Sequence, residues 1–256
     1  MSPTQILRLF LTIPLLPLLG IQGRRLRADI PELPPAANPT GYTGDKSANP
    51  LRLLILGEST MAGLGVTDHR QAFAGRVAER LPGALQRPIQ WQVIAKSGYT
   101  AKKVSARLLP LAVDVPSDLI LIGLGANDSF VFNYKWADDI SALITTLKTS
   151  HPKVPIVFIN LPPVADFPAL TRSLRFSLGN FMDILRTQMI DIAAMTEDCY
   201  FIDEKITLKG WTEKYQLEGS VKDYFSDGIH PSALTYDLWA QEAVDFICHK
   251  VPPYCL

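Results

Sequence analysis

The chain predicts an α/β fold built on one doubly wound parallel sheet of about five strands. Three features predict it. Short apolar runs alternate five times with longer segments of helical periodicity. Turns rich in glycine and polar residues follow several of these runs, where a parallel strand hands over to its crossover. The 256 residues are 47% hydrophobic, enough for a sizeable core in one domain, and show no internal repeat or low-complexity tract.

The N-terminus has its own character. Residues 6–21 are almost wholly apolar, interrupted by Arg8, Thr12, Pro14, Pro17 and Gly20, and Arg24, Arg25 and Arg27 follow at once. Such a run is shorter than the roughly 20 residues of a spanning helix. Its length suits a secretory h-region, but no small-x-small cleavage site precedes Gln22 or Arg24, and the basic cluster follows the run. Residues 1–27 are therefore expected to be an uncleaved membrane anchor that keeps the domain on the cytoplasmic face. A signal peptide leading to a secreted or periplasmic protein, and a buried soluble segment, are the alternatives. Residues 28–50, rich in Pro, Ala, Asn and Gly, read as a linker, and residues 51–256 as the domain.

Within the domain the first strand covers 53–56 and ends at Gly57, with a helix over about 71–81. A second strand at 90–95 leads through Ser97-Gly98-Tyr99-Thr100 into a helix near 101–109. The third strand, 118–124, is the most apolar, as a strand buried on both faces should be. A helix over 136–150 follows, with Ile140, Leu143, Ile144 and Leu147 at helical spacing. The fourth strand, 154–161, stops at Pro162-Pro163, and a long helix runs over 170–195. A fifth strand at 200–202 precedes a polar stretch, 205–226, that reads as a long functional loop. The last helix is expected to start at Pro231, a favoured first helical residue, and to run to about 248.

Charge removes one class of function. The 25 acidic and 25 basic residues balance, so nothing favours nucleic acid. Three cysteines make no metal framework; Cys248 and Cys255 suit either a terminal disulfide or two free thiols.

The chemistry sits at strand ends. Gly57-Glu58-Ser59-Thr60, Ser97-Gly98-Tyr99-Thr100 and Gly125-Ala126-Asn127-Asp128 follow three strands, and in one parallel sheet they line one edge. Asp227-Gly228-Ile229-His230-Pro231 precedes the last helix. Acyl transfer by serine needs a base, a group that orients it, and donors for the developing oxyanion. Ser59 is the candidate nucleophile. His69 and His151 have polar neighbours and are expected at the surface, and His249 lies near the terminus. His230 alone has an acid three residues before it, so Asp227 can hold its tautomer. Gly98, which admits close backbone approach, and the Asn127 amide suit an oxyanion. Taken singly, these residues are also ordinary turn and cap residues.

Together the four segments resemble the signature blocks of the SGNH, or GDSL-type, esterases and lipases, over about residues 51–248. The resemblance implies a three-layer α/β/α, flavodoxin-like fold and a serine hydrolase without metal or organic cofactor. It assigns Ser59 as nucleophile and first oxyanion donor, Gly98 and Asn127 as the other donors, His230 as base and Asp227 as its orienting acid. One departure stands out: the family's usual Asp before the nucleophile is Glu58 here, which is expected to alter packing under the turn.

Rival readings are weaker. Ser59 is followed by Thr60-Met61, so the G-x-S-x-G elbow of the larger α/β-hydrolases is absent. Gly123 and Gly125 lack a third glycine in dinucleotide register. A non-catalytic carbohydrate- or lipid-binding domain would keep the fold, and Asp128, Asp227 and His230 could serve a metal-dependent phosphoesterase. The expected partner is a small-molecule ester, with thioesters and acetylated sugars as alternatives. Phe130, Phe132, Tyr134 and Trp136 are candidates to floor an acyl pocket.

Overall fold

The computed structural model describes residues 16–252. Its sheet is built from β1 (Thr40–Thr43), β2 (Leu51–Gly57), β3 (Ile89–Ala95), β4 (Leu119–Gly123), β5 (Ile156–Phe158) and β6 (Cys199–Phe201). The helices are α1 (Leu16–Asp29), α2 (Phe73–Leu85), α3 (Ala101–Arg107), the short α4 (Leu109–Ala112), α5 (Ala126–Phe130), α6 (Trp136–Ser150), α7 (Arg172–Ala194), α8 (Leu208–Tyr215) and α9 (Ala233–Lys250). Across the sheet the order is β1-β3-β2-β4-β5-β6. All neighbours are parallel except β1, which runs antiparallel to β3.

From β2 the chain steps outward to β3, then jumps back past β2 to β4 and continues to β5 and β6. The reversal sets a topological switch between β2 and β4, where open α/β sheets bind ligands. Crossovers of one hand taken in opposite directions place helices on opposite faces. Accordingly α2 packs with α9, while α3, α6 and α7 pack in succession. This is the expected three-layer fold. Every residue of β4 is buried, and in β2 only Arg52 is exposed. That burial explains the unbroken apolar runs that marked both strands.

Several expectations need correction. Residues 28–50 are more than a linker, and the domain begins before Leu51. The Ala36 and Ala37 amides donate to the Ala62 and Thr67 carbonyls at 3.0 and 2.9 Å, and the His69 amide donates to Ala37. Strand β1 then adds a sixth, antiparallel edge. Gly41 lies opposite Trp91, and a Cβ there would come within 2.2 Å of the indole. A four-residue strand whose glycine makes room for a neighbour's ring leaves no alternation to read. Likewise 205–226 contains α8 and a 3-10 turn, Val221–Tyr224; only Leu208 and Trp211 of α8 are buried, too few for a helical period. Helix α9 begins at Ala233 rather than Pro231, because the Ser232 side chain caps it by accepting from the Thr235 amide. His69 and His151 are buried, not exposed. The His151 ring pairs with Val115 O and Ser150 Oγ, each at 2.9 Å.

Residues 1–15 of the expected anchor lie outside the described residues, as does Cys255 and with it any pairing to Cys248. Among the described residues no helix is long and apolar enough to cross a membrane. Helix α1 lies on the start of α7: Leu19 is buried, and Gln22 Oε1 accepts from Thr171 Oγ1 and Ser173 Oγ at 2.9 and 2.8 Å.

Candidate active site

The turn that carries Ser59 is held by its glycines and by one methionine. Gly57 and Gly123 are register partners at the ends of β2 and β4. A Cβ on Gly57 would lie 2.3 Å from Gly123 O, and one on Gly123 would lie 2.9 Å from the Met61 side chain. The bare pair leaves a notch that the buried Met61 fills, pinning the turn two residues beyond Ser59. The Glu58 amide donates to Gly123 O at 3.1 Å, and the Ala62 and Leu64 amides donate to Glu58 O and Ser59 O at 2.9 and 3.2 Å.

The same turn packs against the segment before α9. Gly65, at φ +100°, lies so close that a Cβ would sit 2.3 Å from Pro231 O and 2.6 Å from Ser226 Oγ. Buried Tyr236 of α9 donates its hydroxyl to Leu64 O at 2.7 Å. These contacts pack the end of the Ser59 turn against the residues that flank Asp227 and His230.

In that segment, Asp227 Oδ2 accepts from His230 Nδ1 at 2.7 Å, and Oδ1 accepts from the Ile229 and His230 amides at 3.0 and 2.8 Å. Burial by itself would raise the Asp227 carboxyl. The hydrogen bonds from the His230 ring and amide outweigh it, with the Ile229 amide adding to them, and hold the group below its ordinary value. An ionised acceptor at Nδ1 leaves the other ring nitrogen as the basic one. Neither His230 Nε2 nor Ser59 Oγ hydrogen-bonds to another described residue. Both are uncommitted, and the bond between them is not formed here.

The three expected oxyanion donors differ. The Ser59 and Gly98 amides make no hydrogen bond among the described residues. Gly98 sits at φ +76° with nothing within 4 Å of where a Cβ would be. The left-handed backbone calls for glycine there, and no protein atom crowds the position. Asn127 stands apart, since its side-chain nitrogen donates to Glu58 Oε2 at 2.6 Å and to Tyr99 O at 3.1 Å.

Glu58 is the residue whose role the sequence concealed. It is 2% exposed and lies beneath the Ser59 turn. Its Oε1 accepts from the Ala126 amide at 2.8 Å, and its Oε2 from the Asn127 amide at 3.0 Å. Burial pushes the carboxyl up to about 8, against the pull of the Asn127 and Ala126 amides and with some help from nearby Asp128. Asp128 is fully buried too; it accepts from the Ala101 amide at 2.9 Å and from Asn133 Nδ2 at 2.7 Å, tying α5 to the start of α3. It is thus committed to scaffold donors. Among the described residues no three His, Cys, Asp or Glu side chains cluster as metal ligands.

The four aromatics after Asn127 do not form one floor. Trp136 is core, Tyr134 is 82% exposed, and Phe132 packs edge-on against Phe181 of α7. Phe130 is partly buried against the core.

The fold has close counterparts among solved structures. The crystal structure of TesA matches with a TM-score of 0.58 at 18% identity, over 77% of this chain and 97% of its own. An acetyl xylan esterase, AlAXEase, matches with 0.56 at 13%, over 77% and 100%. The lipase/acylhydrolase from Enterococcus faecalis matches with 0.55 at 16%, over 79% and 98%. No curated protein sequence matches the chain. The model of the GDSL-like lipase/acylhydrolase family matches residues 55–238, from inside β2 to the second turn of α9, a span that includes every site residue described above. The chain therefore belongs to the GDSL-like lipase/acylhydrolase family and is an ester-hydrolysing enzyme.

Proposed function

We propose that the chain hydrolyses small-to-medium carboxylic esters through an acyl-enzyme on Ser59. The observation that carries this reading is the Asp227–His230 pair at 2.7 Å, packed beside a turn whose serine hydroxyl is uncommitted. Ser59 Oγ attacks the ester carbon and its proton passes to His230 Nε2. The Ser59 and Gly98 amides receive the oxyanion. Collapse breaks the ester C–O bond, and His230 returns the proton to the departing alkoxide. Water then attacks the acyl-enzyme with His230 as base, releasing the acid and restoring Ser59. The test is hydrolysis of p-nitrophenyl esters of graded chain length by the full chain, beside Ser59→Ala. Turnover abolished in the variant supports the mechanism; equal turnover in both refutes it.

We also propose a membrane-surface location, a reading that α1 supports. Leu18 and Ile21 are 45% and 44% exposed, on the side turned from Leu19, and Arg24 and Arg25 are exposed beyond them. Apolar side chains beside cations suit an anionic bilayer surface. Flotation with phosphatidylglycerol vesicles, weakened by Arg24→Gln/Arg25→Gln, is the expected result; equal flotation of both proteins would refute it.

A further inference from the structure

The Asn127 amide has two N–H bonds, and both are spoken for. One goes to Glu58 Oε2 at 2.6 Å and the other to Tyr99 O at 3.1 Å. They are not equivalent. The first is short and goes to a buried carboxyl that also holds the Ala126 and Asn127 backbone amides. The second is longer and goes to a neutral carbonyl in the segment that supplies Gly98. A developing oxyanion competes easily with a single neutral carbonyl for an N–H, and poorly with a short bond to a buried carboxyl that two backbone amides also hold in place.

We propose that Glu58 is a positioning residue for the oxyanion hole, gripping Asn127 so that the N–H now on Tyr99 O is the one transferred to the oxyanion. The substrate-free site then offers two open donors, Ser59 N and Gly98 N, with the third in reserve. Transfer exchanges one hydrogen bond for another and leaves the grip on Glu58 intact. The donor is spent only when charge appears on the substrate oxygen, so the gain falls on the transition state rather than on ground-state binding. The buried carboxyl beneath the nucleophile turn thereby links the Ser59 turn to α5, since one side chain sits under the first and holds the N-terminus of the second.

This rests on the serine-hydrolase reading above, and the experiment separates the two. Glu58→Leu keeps most of the volume but offers no acceptor to the Asn127 side chain or to the Ala126 and Asn127 amides, so the grip fails. The expected result is a fall in kcat of about 100-fold, the lower end for losing one oxyanion donor, with KM changed less than about threefold. Glu58→Asp, which keeps a carboxyl acceptor, should recover most of that loss. A purely structural role would instead lower activity in step with the folded fraction, so circular dichroism melts accompany the kinetics. Nitrogen-15 NMR of the full chain supplies a readout independent of turnover. In the free protein the Asn127 side-chain protons should be widely split, and the splitting should collapse in Glu58→Leu. After reaction of Ser59 with an alkyl phosphonate, a tetrahedral mimic, the proton on Tyr99 O should shift while its partner stays. Unchanged kcat in folded Glu58→Leu, or an Asn127 signal indifferent to the variant, would overturn the proposal. If wild type neither turns over esters nor reacts with the phosphonate, the hydrolase reading fails. The free-protein spectra then still decide whether Glu58 grips Asn127.

Discussion

Asp227→Asn isolates the orientation of His230 from every other feature of the site. The Asp227 side chain is 3% exposed, and its two oxygens divide their work between backbone amides and the imidazole. Asparagine is nearly isosteric. Its Oδ1 can keep both backbone donors, which forces its NH2 toward His230 Nδ1. Nδ1 must then accept, so the ring carries its proton on Nε2, the atom that should take the proton of Ser59. A tautomer locked the wrong way costs about 10⁴ in kcat, or about 5.5 kcal/mol of transition-state stabilisation. The backbone bonds survive, so the fold should too. The assay is p-nitrophenyl ester hydrolysis by the full chain at neutral pH, with the melting curve recorded in parallel. A loss under tenfold in a folded variant would refute the claim that Asp227 sets the base.

Three further outcomes follow. Gly65 and Gly98 share a left-handed backbone, but only Gly65 would bring a Cβ against other atoms, so Gly65→Ala should cost at least about 3 kcal/mol and Gly98→Ala about 1 in guanidinium unfolding; equal costs would contradict the packing argument. Burial pushes the His69 imidazole down to about 4, whereas an unfolded chain takes that proton from about pH 6.5 downward. Its contribution is therefore complete above pH 6.5 and lost on acidification, by about 3 kcal/mol at pH 4, and urea midpoints of wild type and His69→Gln should converge there if the sign is right. Trp239→Phe should cost about 1–3 kcal/mol by stranding the buried Asn160 Oδ1 it donates to. Trp211→Phe should cost less, because Glu242 keeps Lys214 at 3.1 Å; the reverse order in urea unfolding would refute this.

Much of the architecture was legible because parallel strands buried on both faces must be continuously apolar. Strands β2 and β4 announced themselves that way, and α6 matched its expected span of 136–150. Elements whose signal lies in a partner were not legible. Strand β1 exists because Gly41 leaves room for Trp91, and α8 because Trp211 reaches Glu242 across the core. His69 and His151 have polar neighbours in sequence yet are buried by chain brought from elsewhere.

The candidate site divides along the same line. Ser59, Gly98, Asn127, Asp227 and His230 were singled out from short segments, since strand-end turns and an acid three residues before a histidine are local patterns. Asp227 and His230 do meet, because three residues of one turn span that distance. What Glu58 does was not local. Its carboxyl meets Ala126 and Asn127 across 68 and 69 residues of chain. Sequence alone determined which residues stand at the sheet edge, because periodicity and turn chemistry act over a few residues. Only the tertiary structure decided which of their donors are open and which are held, because hydrogen-bond occupancy depends on what the fold carries in from far away.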